Sequence, residues 1–266
     1  MLLLNAHPDR RRALDAVDAV LLGPEGAAEA ERFLRLRDGR ATPLLALPAL
    51  AADLGFASVH VKDEGRRLGL GSFKALGGAY AVMRLTLEAA EARLGRRLAP
   101  EDLFGDAVRA VAAGLTFACA TDGNHGRSVA QGASLVGTSS VVFVHAGVSD
   151  ERVAAIARFG ARMVRVAGNY DESVREAERV AQAEGWIVVS DTSWPGYERI
   201  PGLVMQGYTP IVAETLRALA EPPTHVFVQA GVGGVAAAKP RARMKLSRRQ
   251  ANPAMRSAFR VHEEFV

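Results

Sequence analysis

From residue 58 onward the chain alternates short β-branched apolar runs with longer segments of helical periodicity. The pattern predicts strands over 59–62, 115–120, 141–144, 163–166, 187–190 and 226–228. Between them it predicts helices over 73–91, after His125, after Ser149-Asp150-Glu151 with its capping signal, over 171–184, and over 203–220. Strand then helix, with no hairpin signals between, implies an α/β fold of parallel sheets covered on both faces. Residues 1–40 read as mainly helical and surface-facing. The stretch 92–109, charged and proline-containing, reads as a surface excursion. At Ala238 the pattern breaks, and 28 residues come after it with no strand signal and weak periodicity.

Composition narrows the class. The chain has 266 residues, enough for one large domain or two modest ones, and its 49% hydrophobic and 23% charged content excludes wholesale disorder. A net charge of +4 suggests a polyanionic partner until it is located: residues 239–266 carry +6, leaving −2 for everything before them. The apolar run at Met1–Leu4 is too short for a signal peptide, and Pro8 and Asp9 prevent its extension. No stretch approaches the roughly 18 apolar residues of a membrane helix. The single cysteine, Cys119, lies in a strand-like run and reads as an inert core thiol. A reducing cytoplasm is the expected compartment.

Three constellations carry chemistry. In Gly69-Leu70-Gly71-Ser72-Phe73-Lys74-Ala75-Leu76-Gly77-Gly78-Ala79, a lysine opens a helix among apolar and small residues. The macrodipole disfavours a cation there, and desolvation favours a neutral, nucleophilic amine over an ordinary surface lysine. In Ala120-Thr121-Asp122-Gly123-Asn124-His125-Gly126-Arg127, glycines flank an Asn-His pair between a strand and a helix, and Asp122 falls where parallel sheets bind ligands. The same residues also suit a plain polar turn, and His125 a hydrogen-bonded cap, because no His or Cys stands at metal-ligand spacing. The third, Gln229-Ala230-Gly231-Val232-Gly233-Gly234-Val235, is a glycine turn that could cradle a phosphate but matches neither a dinucleotide fingerprint nor a P-loop.

The three together resemble the fold-type II, tryptophan-synthase-β-like pyridoxal-phosphate enzymes, as do Thr42-Pro43-Leu44 and Lys62-Asp63-Glu64. Within them the chain is similar to the diaminopropionate ammonia-lyases. That likeness is carried by the acid in Thr121-Asp122-Gly123-Asn124-His125-Gly126, by residues 167–174, by Asp191-Thr192-Ser193-Trp194-Pro195-Gly196-Tyr197, and by residues 201–208. The resemblance implies two parallel-sheet α/β domains, with 1–70 and 195–238 in a large cofactor domain and 71–194 in a small one. It implies that Lys74 carries pyridoxal 5'-phosphate and that Asn124 meets the phenolic oxygen of that cofactor. The amides of Gly231, Val232, Gly233, Gly234 and Val235 would bind its phosphate. The implied reaction is α,β-elimination of 2,3-diaminopropionate to pyruvate and ammonia, without a metal. Lys74 would take the Cα proton of the L isomer, Asp122 that of the D isomer, and Asp191 would hold the substrate's β-ammonium. On spacing alone Asp191 serves equally as a turn or helix cap. Tyr170 and Trp194 read as packing residues.

The resemblance runs from about residue 20 to 238, and 239–266 reads as a basic, non-matching tail with the look of a frame-shifted ending. A large domain left incomplete would expose a sheet edge and an apolar face, predicting weak cofactor retention and low solubility. The partners implied are a small amino-acid substrate and, for intact members of the family, a second copy of the chain; a membrane or nucleic acid is not expected. Alternatives are a threonine/serine-type dehydratase of the same fold, an inactive relative that binds the cofactor, and a tail that acts as a nucleic-acid arm.

Overall fold

The computed structural model describes residues 15–37, 39–229 and 231–238, so the N-terminal apolar run and the basic segment 239–266 lie outside the described residues. Helices α1 (Ala16–Leu22) and α2 (Pro24–Arg35) lead into strand β1 (Leu44–Ala46), helix α3 (Pro48–Leu54) and strand β2 (His60–Lys62). After a 3-10 segment over Glu64–Gly69 comes the long helix α4 (Lys74–Leu94), then a second 3-10 turn over Pro100–Phe104 and α5 (Asp106–Ala112). An alternating run comes next: β3 (Thr116–Ala120), α6 (Asn124–Val136), β4 (Ser139–His145), α7 (Asp150–Ala157), β5 (Arg162–Val166), α8 (Tyr170–Glu184) and β6 (Ile187–Val188). Helix α9 (Arg199–Ala218) and a short α10 (Gly234–Ala237) complete the described chain.

Strands β5, β4, β3 and β6 form one four-stranded sheet, in that order and entirely parallel. Alternate residues of its central strands go to opposite faces. Phe117, Cys119, Val142 and Val144 join a core with residues of α4 and α6, while Ala118, Val141 and Phe143 pack with Ala177 and Ala181 of α8. Burial on both faces explains why β3 and β4 read as unbroken apolar runs.

Helix α4 is buried along most of its length, and glycines set how close its neighbours come. A Cβ on Gly77 would stand 2.5 Å from the Tyr208 ring, and one on Gly207 would stand 2.8 Å from the Gly77 Cα, so α4 and α9 touch backbone to backbone. Helix α9 also contains Pro210, which has no N–H for the Gln206 carbonyl four residues earlier. The buried Thr209 hydroxyl donates to that carbonyl at 2.6 Å instead. Thr209→Val is therefore expected to cost about 1–3 kcal/mol in urea unfolding, and Thr209→Ser to retain most of that stability.

Several expectations are corrected. Strand β2 pairs antiparallel with β1, from Leu44 opposite Lys62 to Ala46 opposite His60, because a whole helix, α3, stands where a hairpin would have its turn. Residues 226–228 form no strand, since among the described residues none lies beside them; Val226 and Phe227 are exposed, Phe227 by 70%. The described part of the expected large domain therefore contributes the β1–β2 pair and no second parallel sheet. The strand predicted over 187–190 is ladder-paired only at Ile187 and Val188, with the Val189 amide adding one bond to Ala118. Helix α2 is not a surface element: Phe33 is buried and meets Tyr80 edge to face at 5.2 Å. The stretch 92–109 likewise buries Leu103 and Val108. Among the described residues no helix is long and apolar enough to cross a membrane.

Candidate active site

The candidate residues gather beyond the carboxyl ends of the parallel strands, where the chain leaves the sheet and polar backbone is free to meet a ligand. Lys74 is the first residue of α4, and the start of that helix is anchored through the Ala75 carbonyl, which accepts from Arg37 at 3.0 Å and from Ser128 at 3.1 Å. Arg37 gives its other terminal nitrogen to Gln131. Burial, with the nearby charge of Arg67, brings its guanidinium down to about 9.

Lys74 Nζ donates to Asp191 Oδ2 at 2.6 Å. Asp191 comes after β6, and its side chain is only 7% exposed. Burial alone would raise this carboxyl, but the His125 and Lys74 charges and the Lys74 hydrogen bond outweigh it, so Asp191 is held below the usual carboxylate range. Lys74 therefore stands against a buried carboxylate as well as the apolar and small residues beside it in sequence.

His125, buried in the first turn of α6, sets its Nε2 2.8 Å from the Val189 carbonyl. It is thus a cross-link from α6 to the end of β6 rather than a helix cap. Its Nδ1 has no hydrogen-bond partner and lies 3.9 Å from Asp191 Oδ2. The turn that delivers it depends on Gly123, whose φ of 153° is closed to other residues, and on Thr121, whose Oγ1 accepts from the amides of Gly123 and Gly126. Asn124, between them, is exposed.

Asp122, two residues beyond β3, has its side chain 59% exposed and its Oδ1 3.1 Å from His145 Nε2. Tyr170, the first residue of α8, lies within electrostatic reach of both acids; burial, then Asp191, then Asp122 push its phenol up to about 12. Its local sequence suits packing, and nothing there signals that the start of α8 feels the charge of both carboxylates. Trp194 stacks on Tyr197 at 4.1 Å, in keeping with a packing role. Cys119 is fully buried in β3, and burial pushes its thiol up.

The glycine turn is tied to Lys74 through two rings. Phe73 packs edge to face with Tyr208 at 5.2 Å, and a Cβ on Gly234 would stand 3.6 Å from that same Tyr208. Gly231, Val232 and Gly233 are not packed away, and Cβ atoms on Gly231 and Gly233 would meet nothing within 4 Å. Helix α10 has only four residues, so any anion bound there would rely on the turn's amides more than on a helix dipole.

A further group has no role legible in the sequence. Arg67, 1% exposed, donates to Glu64 at 2.7 and 2.8 Å and to Glu214 of α9 at 2.7 and 2.9 Å. Lys62 Nζ reaches Glu214 at 2.5 Å and the Thr42 carbonyl at 2.6 Å. Thr42, Lys62 and Glu64, which the sequence shows only within family motifs, thus join Arg67 in a largely buried ionic clasp to α9.

The donor set suits pyridoxal 5'-phosphate: a primary amine 29% exposed, an exposed amide one residue from a buried histidine, and an open glycine turn. Comparison with known proteins agrees. Residues 36–255 match the family model described as pyridoxal-phosphate dependent enzyme, so the match runs past Ala238. The diaminopropionate ammonia-lyase of Escherichia coli K12 is 44% identical over 201 residues, covering 74% of this chain and 49% of the relative. The crystal structure of the Escherichia coli enzyme in complex with D-serine superposes with a TM-score of 0.73 at 40% identity, over 81% of this chain and 55% of that one. Its complex with an aminoacrylate-PLP azomethine reaction intermediate gives 0.72 at 41% identity, over 82% and 55%. The chain spans about half the length of the curated relatives it matches. With residues 36–255 matched and the amine, amide and glycine turn together, the chain belongs to the pyridoxal-phosphate dependent enzymes.

Proposed function

We propose that this chain uses pyridoxal 5'-phosphate on Lys74 to eliminate ammonia from L- and D-2,3-diaminopropionate, with pyruvate and a second ammonia as products. One observation carries the choice of a diamine: the buried Asp191 carboxylate already accepts an ammonium, that of Lys74, at 2.6 Å. With Lys74 committed to the cofactor, Asp191 is left to receive the substrate's β-ammonium. Hydroxy amino acids have no side-chain cation to offer it. The cofactor, when bound, supplies an electron sink that acidifies the substrate Cα–H.

The protein's own groups do the rest. Lys74, at the start of α4, takes the Cα proton of the L isomer, and Asp122, just beyond β3, takes that of the D isomer. Asn124 orients the ring through its phenolic oxygen, and the amides of Gly231 to Val235 hold the phosphate. The Escherichia coli relative was crystallised with D-serine, which supports a place for D substrates.

We read 71–194, which contains the whole parallel sheet, as the small domain, with 1–70 and 195–238 as parts of the large one. The same reading makes the protein a cytoplasmic, catabolic enzyme that pairs as intact family members do and has no nucleic-acid partner. The test is pyruvate release from each isomer with added cofactor. Asp122→Asn is expected to lower elimination of the D isomer about 100-fold or more while sparing the L isomer by comparison. Equal loss with both isomers would refute the division of labour, and no pyruvate from either would refute the function.

A further inference from the structure

Asp122 is too exposed for its pairing with His145 to contribute much stability, yet several contacts fix the geometry of the pair. His145 is the last residue of β4, and the Thr121 amide bonds to the Phe143 carbonyl, so the β3–β4 ladder brings His145 alongside Asp122. The two ring nitrogens of His145 have separate partners. Nδ1 accepts from the Gly147 amide at 3.0 Å, and an amide can only donate. The neutral ring must therefore carry its proton on Nε2, which faces Asp122 Oδ1 at 3.1 Å.

The loop that presents the Gly147 amide is itself pinned. Arg165 of β5 donates to the Ala146 carbonyl at 3.0 Å, to the Val148 carbonyl at 2.7 Å, and to Asp150 at 2.7 Å. A Cβ on Gly147 would crowd His145, at 3.0 Å from Cε1 and 3.2 Å from Nδ1, so a glycine lets the amide approach. On the other side, Arg152 of α7 holds the Asp122 carbonyl at 3.4 Å. Backbone, loop and tautomer all converge on one carboxylate orientation.

We propose that His145 is a positioning residue for Asp122, its Nε2–H holding one carboxylate oxygen so that the other is left to act on substrate. The catalytic consequence rests on the reading of Asp122 as the base for the D isomer. An exposed carboxylate free to rotate would spend little time in the productive geometry, and a base must stand within hydrogen-bond reach of the proton it removes.

The test uses the full chain loaded with pyridoxal 5'-phosphate and has two readouts. Long-range 1H–15N spectra of histidine-labelled protein should show His145 as the Nε2–H tautomer, with its signals displaced in Asp122→Asn. An Nδ1–H tautomer, or signals indifferent to Asp122→Asn, would overturn the proposal. In kinetics, His145→Ala should lower the ratio of D to L kcat roughly tenfold, and His145→Gln, whose amide N–H reaches the same place, should restore most of it. Equal loss with both isomers, or no rescue by glutamine, would mark His145 as merely structural and also overturn it. If Asp122→Asn leaves D elimination untouched, the reading of Asp122 as base fails, while the tautomer and its dependence on Asp122 still decide whether the pair exists.

Discussion

Lys74→Ala should abolish the absorbance of lysine-bound cofactor and lower pyruvate release from L-2,3-diaminopropionate by at least ~10²–10⁴-fold, the range for loss of a general base. The same substitution has a second effect that needs no cofactor. Asp191 loses its 2.6 Å partner while staying buried, and His125 Nδ1 stands 3.9 Å away, beyond hydrogen-bond reach. A buried carboxylate without its hydrogen bond costs about 1–3 kcal/mol, so the apo variant should unfold at lower urea concentration than the parent. Lys74→Ala combined with Asp191→Asn should recover part of that stability and none of the activity. If apo Lys74→Ala is as stable as the parent, the ion pair is not what holds Asp191; if pyruvate release survives, Lys74 is not the catalytic amine.

The largest effect on stability is expected at Arg67, which is outside the Lys74–Asp191 pair. Arg67→Ala would leave Glu64 and Glu214 with Lys62 and the Thr42 hydroxyl and amide as partners, and breaking a buried charge network from one side costs about 3–5 kcal/mol. The pH dependence has a definite sign. Burial would raise the Glu214 carboxyl, but hydrogen bonds from Arg67 and Lys62, with their charges, hold it low. A carboxyl depressed on folding stabilises above its unfolded value of about 4.3, and that stability fades as pH falls through the lower folded value. The parent should thus lose this contribution only in acid, below about pH 4. In Arg67→Ala the depression is weakened to what Lys62 supplies, so the variant's deficit relative to the parent should be greatest near neutrality and shrink towards pH 3. Urea unfolding of both proteins across that range measures it, and a deficit independent of pH would show that Arg67 acts by packing alone.

How much of the fold and site is legible in the sequence depends on the range of the interactions involved. The parallel sheet is readable because β3 and β4 are buried on both faces and their apolar runs are continuous. The pairing of β1 with β2 is not, because three-residue strands separated by a helix carry no local signature. The strand expected over 226–228 has the right composition, but no described strand pairs with it, and a strand exists only as a pair. Lys74 stands out because it opens a helix after a glycine turn, and Asp122 and Asn124 because they lie between a strand, a glycine and a helix start. Asp191 is ambiguous between a cap and an acid until the fold sets it against Lys74, 117 positions away in sequence. Tyr170 and His145 carry no such signal, since their significance comes entirely from the groups that face them.

Local chemistry therefore determined the alternation of elements, the turns and the types of reactive group, because these depend on periodicity, on backbone freedom at glycine, and on functional groups present in the chain. It also located the excess positive charge in 239–266 and away from the body that carries the site. Which groups meet was decided only by tertiary structure. Carboxylates look alike along a sequence, and burial and partners assign them different work: Asp191 holds a buried cation, Asp122 stays half in solvent beside an oriented histidine, and Glu214 closes a clasp with Arg67. A carboxylate's charge is controlled by desolvation and by neighbours within a few ångströms, and those neighbours come from distant parts of the chain.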